Sequence, residues 1–217
     1  STLTLPTGAR SYGYDAVGHL ATITTPDGGL NHAYNGALLT QTAWTGAVAG
    51  TTDYSYDNDF RLASVSVNGA NSVAYQYDPD GLLTQAGALT LSRNAQNGLL
   101  TGTTLGNTTD SRSYTGFGEI AGYSATANGA GVFATTYTRD TLGSITQKVE
   151  TIQGQAATYA YAYDLAGRLI EVKHNGATIA TYGYDANGNR TQVNGQTVAT
   201  VDDQDRLLTH AGATYTH

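Results

Sequence analysis

One short string recurs along this chain and limits what it can fold into. It reads YGYDAVGHL at Tyr12 to Leu20, YSYDNDFRL at Tyr54 to Leu62 and YQYDPDGLL at Tyr75 to Leu83. It returns as YAYDLAGRL at Tyr161 to Leu169 and YGYDANGNR at Tyr182 to Arg190. The motif positions are therefore Tyr12, Tyr14, Asp15 and Gly18, then Tyr54, Tyr56 and Asp57, then Tyr75, Tyr77, Asp78 and Gly81. Further on they are Tyr161, Tyr163, Asp164 and Gly167, and Tyr182, Tyr184, Asp185 and Gly188. Asp140 and Asp202 anchor weaker copies, and Asn35, Asn94 and Thr115 stand where further aspartates would. A unit returning about every 20 residues implies a repeat array, in which each unit buries its apolar surface only against its neighbours.

Inside a unit the period is two. Ile170 and Val172 alternate with Glu171 and Lys173, and Ala63, Val65 and Val67 alternate with serines. Alternation puts one set of side chains on one face of a sheet. The two motif tyrosines, spaced by two, are expected to share a face and to pack as cross-strand ladders.

Turn chemistry supplies the breaks. An aspartate carboxylate accepts hydrogen bonds from backbone N–H groups just downstream, and a glycine three residues later tolerates positive φ. Midway between motifs stand Asn68-Gly69, Asn175-Gly176, Asn194-Gly195 and Asp27-Gly28. Such dipeptides favour type I′ hairpins, which need positive φ at both central residues. Each unit thus reads as strand, Asp-x-x-Gly turn, strand, hairpin turn. The expected fold is all-β: one continuous antiparallel hairpin strip over 1–217, about ten units and 20 strands. At that width the strip must curve strongly into a barrel-like or spiral shell segment, because twist accumulates.

Composition excludes several functions. The chain has 217 residues, 12% of them charged, with a net charge of -7. Nucleic-acid backbones need clustered cations, whereas here the lysines are only Lys148 and Lys173 and the arginines are scattered. No apolar run reaches the length of a membrane-spanning helix. Cysteine is absent, which removes disulfides and thiolate metal sites. The chain opens on Ser1 and reads as a fragment of a longer protein.

No constellation asks for catalysis, a cofactor or a metal. The carboxylate pairs Asp57/Asp59 and Asp78/Asp80, and the Asp202/Asp203/Asp205 group, fall in turns, where solvated side chains are expected. Asp185 to Asn189 resembles the start of a calcium loop, but Arg190 and Gln196 occupy the positions of its required glycine and glutamate. Trp44, outside the motif, is a candidate contact residue on a longer loop, or else a core anchor.

The string YxYDxxGxL, with Arg61, Arg168, Arg206 or His19 before the leucine, resembles the YD repeat of the Rhs-repeat family. That family includes polymorphic toxins, Tc toxin shell components and teneurin adhesion receptors. The resemblance implies a hollow β-shell, secreted or at the cell surface, whose partners are further repeats of the same polypeptide and, in toxins, an enclosed C-terminal effector. The expected role is structural. A binding or adhesion module that engages glycan or a partner protein through Trp44 and exposed tyrosines is the alternative. A self-cleaving aspartyl protease is a third reading, because Asp78-Pro79-Asp80-Gly81-Leu82 looks like the family's cleavage string. Self-association through unpaired edge strands is a further expectation.

Overall fold

The computed structural model describes residues 2–5 and 8–217. None of them is helical. The chain divides into two compact units, Ser1–Gly98 and Leu99–His217.

The first unit begins with β1 (Thr2–Leu5), β2 (Gly8–Tyr14), β3 (Leu20–Thr25), β4 (Gly28–Asn35) and β5 (Leu38–Gly46). It continues with β6 (Gly50–Tyr56), β7 (Leu62–Val67), β8 (Ala70–Tyr77), β9 (Leu83–Ala86) and β10 (Leu89–Arg93). The second holds β11 (Leu100–Leu105), β12 (Thr108–Tyr114), β13 (Ile120–Ala127), β14 (Ala130–Arg139), β15 (Ile145–Ile152) and β16 (Gln155–Tyr163). After these come β17 (Leu169–His174), β18 (Ala177–Tyr184), β19 (Arg190–Val193) and β20 (Gln196–Thr197). A small sheet of β21 (Ala199–Val201), β22 (Leu207–His210) and β23 (Ala213–Thr214) ends the chain. Within each unit the ladders are antiparallel and join strands adjacent in sequence. This is the expected all-β hairpin strip, and neither unit closes into a barrel.

Two turn types alternate along the strip. At one edge of the unit that holds it, each of Asn68-Gly69, Asn128-Gly129, Asn175-Gly176 and Asn194-Gly195 has positive φ at both residues, the type I′ requirement. Asp27-Gly28 does not follow them. Thr25 pairs with Gly28, so the loop residues are Pro26 and Asp27, and Asp27 is not among the residues with positive φ. The pyrrolidine ring of Pro26 fixes φ near -65° and excludes type I′.

At the other edge lie the Asp-x-x-Gly turns. The left-handed slot is filled by Gly18, Gly81, Gly167 and Gly188 in four of the five full motif copies. In the remaining copy Phe60 takes it at φ 61°, and Asp205 does so at φ 60° in the Asp202 turn. Asn35 departs from this pattern, because it pairs with Leu38 across a two-residue turn.

A bulge stands immediately before the motif aspartate. The register slips at Gly13/Tyr14, Ser55/Tyr56, Gln76/Tyr77, Ala162/Tyr163 and Gly183/Tyr184. Each slip falls between the two motif tyrosines and leaves one residue of the partner strand outside the ladder.

The sheet is one layer thick in its burial. Among the described residues only Gly102, Gly122, Thr135 and Ala199 are more than nine-tenths buried. One face carries rows such as Tyr12–Ile23–Leu30–Trp44, aligned across four strands. The other face of that unit carries the directly opposed hydroxyl pair Ser55–Ser64 at 2.7 Å, and in the second unit Ser111 and Ser124 oppose each other at 2.9 Å. The chain exposes 13,934 Å², against roughly 9,500 Å² for a compact monomer of this mass.

Candidate functional site: the joint between repeats

The Asp164 turn shows how the motif works. Asp164 N–H donates to the Arg168 carbonyl at 3.0 Å, and Gly167 N–H donates to the Asp164 carbonyl at 3.0 Å. Asp164 Oδ1 accepts the N–H groups of Ala166 and Arg168, each at 2.9 Å. The second oxygen, Oδ2, accepts Arg168 Nε at 2.7 Å. One carboxylate therefore satisfies the turn backbone and fixes the arginine.

That arginine reaches the next repeat. The Arg168 guanidinium lies over the Tyr184 ring at 4.7 Å, a cation–π distance. The Tyr184 hydroxyl in turn donates back to the Leu169 carbonyl at 2.8 Å. Aspartate, arginine, leucine carbonyl and following tyrosine form one closed joint across two repeats. Arg61, Tyr77 and Leu62 repeat it, with 4.8 Å to the ring and 2.8 Å for the hydroxyl bond. His19 stands in for arginine in the first copy, 3.0 Å from Asp15 Oδ2 and 4.8 Å from the Tyr34 ring. Tyr34 then donates to the Leu20 carbonyl at 3.0 Å. The Tyr56, Tyr114 and Tyr163 hydroxyls make the same bond to Leu39, Leu100 and Ile145.

The two motif tyrosines thus have different work, which their spacing did not show. The first member faces an aliphatic or small residue: Tyr54 opposes Val65, Tyr161 opposes Val172, Tyr182 opposes Val193, Tyr12 opposes Ile23 and Tyr75 opposes Ala86. The second reaches back to the preceding repeat. Tyr14, in the first copy, is exposed. The partners of the joint tyrosines are a backbone carbonyl and a cation, in place of the expected tyrosine ladder. Replacing Tyr184 by phenylalanine is expected to cost about 1 kcal/mol in urea melts, with an unchanged m-value, because one partly buried carbonyl loses its donor.

Arginine replaces the second tyrosine twice. Arg93, just before Asn94, donates to the Leu83 carbonyl at 3.1 Å and to the Gly98 carbonyl at 3.0 Å. Arg139, just before Asp140, donates to the Gly143 carbonyl at 2.9 Å. Its Nε lies 3.6 Å from Glu119, which occupies the slot held elsewhere by arginine. The charges of that joint are exchanged and remain complementary.

The opposite edge has its own lock. Asn68 Oδ1 accepts Thr51 N–H at 2.8 Å while Asn68 N–H donates to the Thr51 carbonyl at 2.9 Å. Asn175 with Thr158 and Asn194 with Thr181 repeat the arrangement. The hairpin asparagine is thereby bound to the strand two before its own hairpin's second strand.

Five of the motif carboxylates, Asp15, Asp57, Asp164, Asp185 and Asp202, have their pKa lowered. Hydrogen bonds from Arg168 and the turn backbone lower the pKa of Asp164 against the opposing effect of desolvation. Desolvation pushes Asp15, Asp57 and Asp185 up, and the turn N–H groups with their side-chain partners more than reverse it. For Asp202 the Arg206 side chain, helped by two backbone donors, lowers it to about 2. Both oxygens of Asp164 are taken up by bonds that hold the turn and its arginine, so this aspartate acts as a fastener.

Trp44 sits in β5 and not on a loop, in register with Leu30 and Gly50. It is half-buried, and a Cβ at Gly50 would strike its ring. Among the described residues no three histidine or carboxylate side chains gather as a metal set would require.

A hairpin strip whose recurrent Tyr-x-Tyr-Asp motif fastens one repeat to the next defines a YD-repeat class of protein. The sequence matches the teneurin YD-shell family over residues 1–217, and the chain belongs to that family. No curated protein matches it. The fold is similar to the crystal structure of TcdB2-TccC3-TEV, with a TM-score of 0.67 and 14% identity over 95% of this chain. TcdB2-TccC3-Cdc42 gives 0.66 and 13% over the same share. The chain spans 13% of the length of either. At that identity the likeness is one of fold.

Proposed function

We propose that this chain is a segment of wall in a longer YD shell that encloses a C-terminal effector of the same polypeptide, outside the cell. The role is structural, and no residue of the segment serves as a catalyst. The observation that carries the reading is the combination of thin sheet and repeated joint. A chain with almost no buried side chains gains its order from fastening each repeat to the last, which suits a wall with space on one side. The apolar tips of successive turns support it. Phe117, Leu142 and Leu165 are almost fully exposed, and in a spiral wall the neighbouring layer covers such tips.

Limited proteolysis of the parent polypeptide tests this. The region enclosed by the shell should survive protease until the wall is opened by Asp164→Ala and Asp185→Ala together. Equal digestion of that region before and after the double substitution would remove the enclosing role.

A further inference from the structure

In the Asp78 turn a leucine stands where the preceding turn has its arginine. In the Asp57 turn two carboxylates grip one guanidinium: Asp57 Oδ2 lies 2.8 Å from Arg61 Nε and Asp59 Oδ2 lies 3.0 Å from Arg61 Nη2. The next turn repeats both carboxylates at the same spacing, as Asp78 and Asp80, but puts Leu82 where Arg61 stood. Its backbone is nonetheless built in the same way. Asp78 Oδ1 accepts Asp80 N–H at 3.0 Å and Leu82 N–H at 2.8 Å, and Gly81 N–H donates to the Asp78 carbonyl at 3.0 Å. Among the described residues no side chain bonds Asp78 Oδ2, and none bonds the Asp80 carboxylate.

A cavity adjoins this turn. It has a volume of about 610 Å³ and is lined by Asp78, Asp80, Leu82, Leu91, Arg93 and Asn94 among others. Arg93 stands in the slot of the stacking tyrosine, its guanidinium held by the Leu83 and Gly98 carbonyls. Against that one fixed cation stand two carboxylates, which leaves the lining net negative. A planar cation entering there meets two carboxylates at the same sequence spacing as the pair that holds Arg61, with Leu82 and Leu91 for its alkyl stem.

We propose that the Asp78/Asp80 cavity is a binding site for a guanidinium group carried on a short alkyl chain, supplied from outside this strip. A guanidinium fits better than an ammonium because two separate carboxylates ask for a forked donor. The site is independent of the shell reading, since it rests on one turn and its neighbour.

Titrating ethylguanidinium into the whole 217-residue chain, followed by backbone amide shifts in NMR, tests it. Saturable shifts confined to 78–98 are expected, with weaker binding of ethylammonium. Leu82→Arg should abolish the response by filling the site from within, and should raise the melting temperature. Asp80→Asn changes an exposed side chain and should weaken binding about threefold or more. A capped arginine tripeptide identifies the source. Affinity equal to ethylguanidinium points to a small metabolite, and tighter binding points to an arginine of a partner chain. Absence of saturable shifts with ethylguanidinium, or a response unchanged in both Leu82→Arg and Asp80→Asn, would overturn the proposal.

Discussion

Replacing Gly28 by alanine is expected to destabilise the first unit by about 3 kcal/mol, from backbone strain and overpacking together. Gly28 has φ +152°, and a Cβ there would fall on the Thr45 carbonyl oxygen, with Gly46 Cα at 3.2 Å behind it. Both obstacles are main-chain atoms of the paired strand, so no side-chain rotation relieves them. The control is Gly176→Ala. Gly176 has φ +85° with nothing within 4 Å of a Cβ, and conformational strain alone should cost about 1 kcal/mol. Chemical denaturation of the two variants side by side separates strain from collision. Equal losses at both sites would show that the β4–β5 approach tolerates a side chain.

The second large effect is acid sensitivity. Asp15, Asp57, Asp164, Asp185 and Asp202 all have folded-state pKa values below the ordinary 3.8. The unfolded chain therefore binds more protons between the folded and unfolded values, and stability rises with pH there. The stabilisation is complete above about pH 4–5, and it is lost as pH falls through the folded values, of which that of Asp202 is about 2. The melting temperature by circular dichroism should be flat from pH 7 to 5 and fall by at least about 5 °C between pH 4 and 2. Asp202→Asn should remove part of that slope. A melting temperature at pH 2.5 equal to that at pH 7 would show that the turns hold without ionised aspartates.

Both effects concern fasteners, and the same reasoning explains what could be read from residues alone. The Asp-x-x-Gly turn was legible because its bonds close within four residues: Asp164 Oδ1 reaches Ala166 and Arg168 and no further. The Asn-Gly hairpins were legible for the same reason. Asp27-Gly28 misled because the residue before it, Pro26, set the loop one position earlier. Phe60 was harder still, since a bulky residue in a left-handed slot contradicts its own preference and is held there by the turn around it. Trp44 was open between loop and strand, and it lies in a strand because it continues the row from Leu30.

The chemistry of the joint escaped the sequence even though all of its parts were visible. Arginine before leucine and a paired tyrosine in the next copy were plain in the text of the repeat. Their union was not, because the hydroxyl bonds join residues from 14 to 18 positions apart. Such a bond depends on strand register, and the register slips at the bulge between the two tyrosines.

The sequence by itself determined the class of fold, the period of the repeat and the two kinds of turn. Those features come from local backbone preferences and from alternation, which act within one unit. The tertiary structure decided which tyrosine packs and which one fastens, and how Arg93 and Arg139 replace it. Each of these depends on two strands meeting in a particular register, and only the folded sheet sets that register.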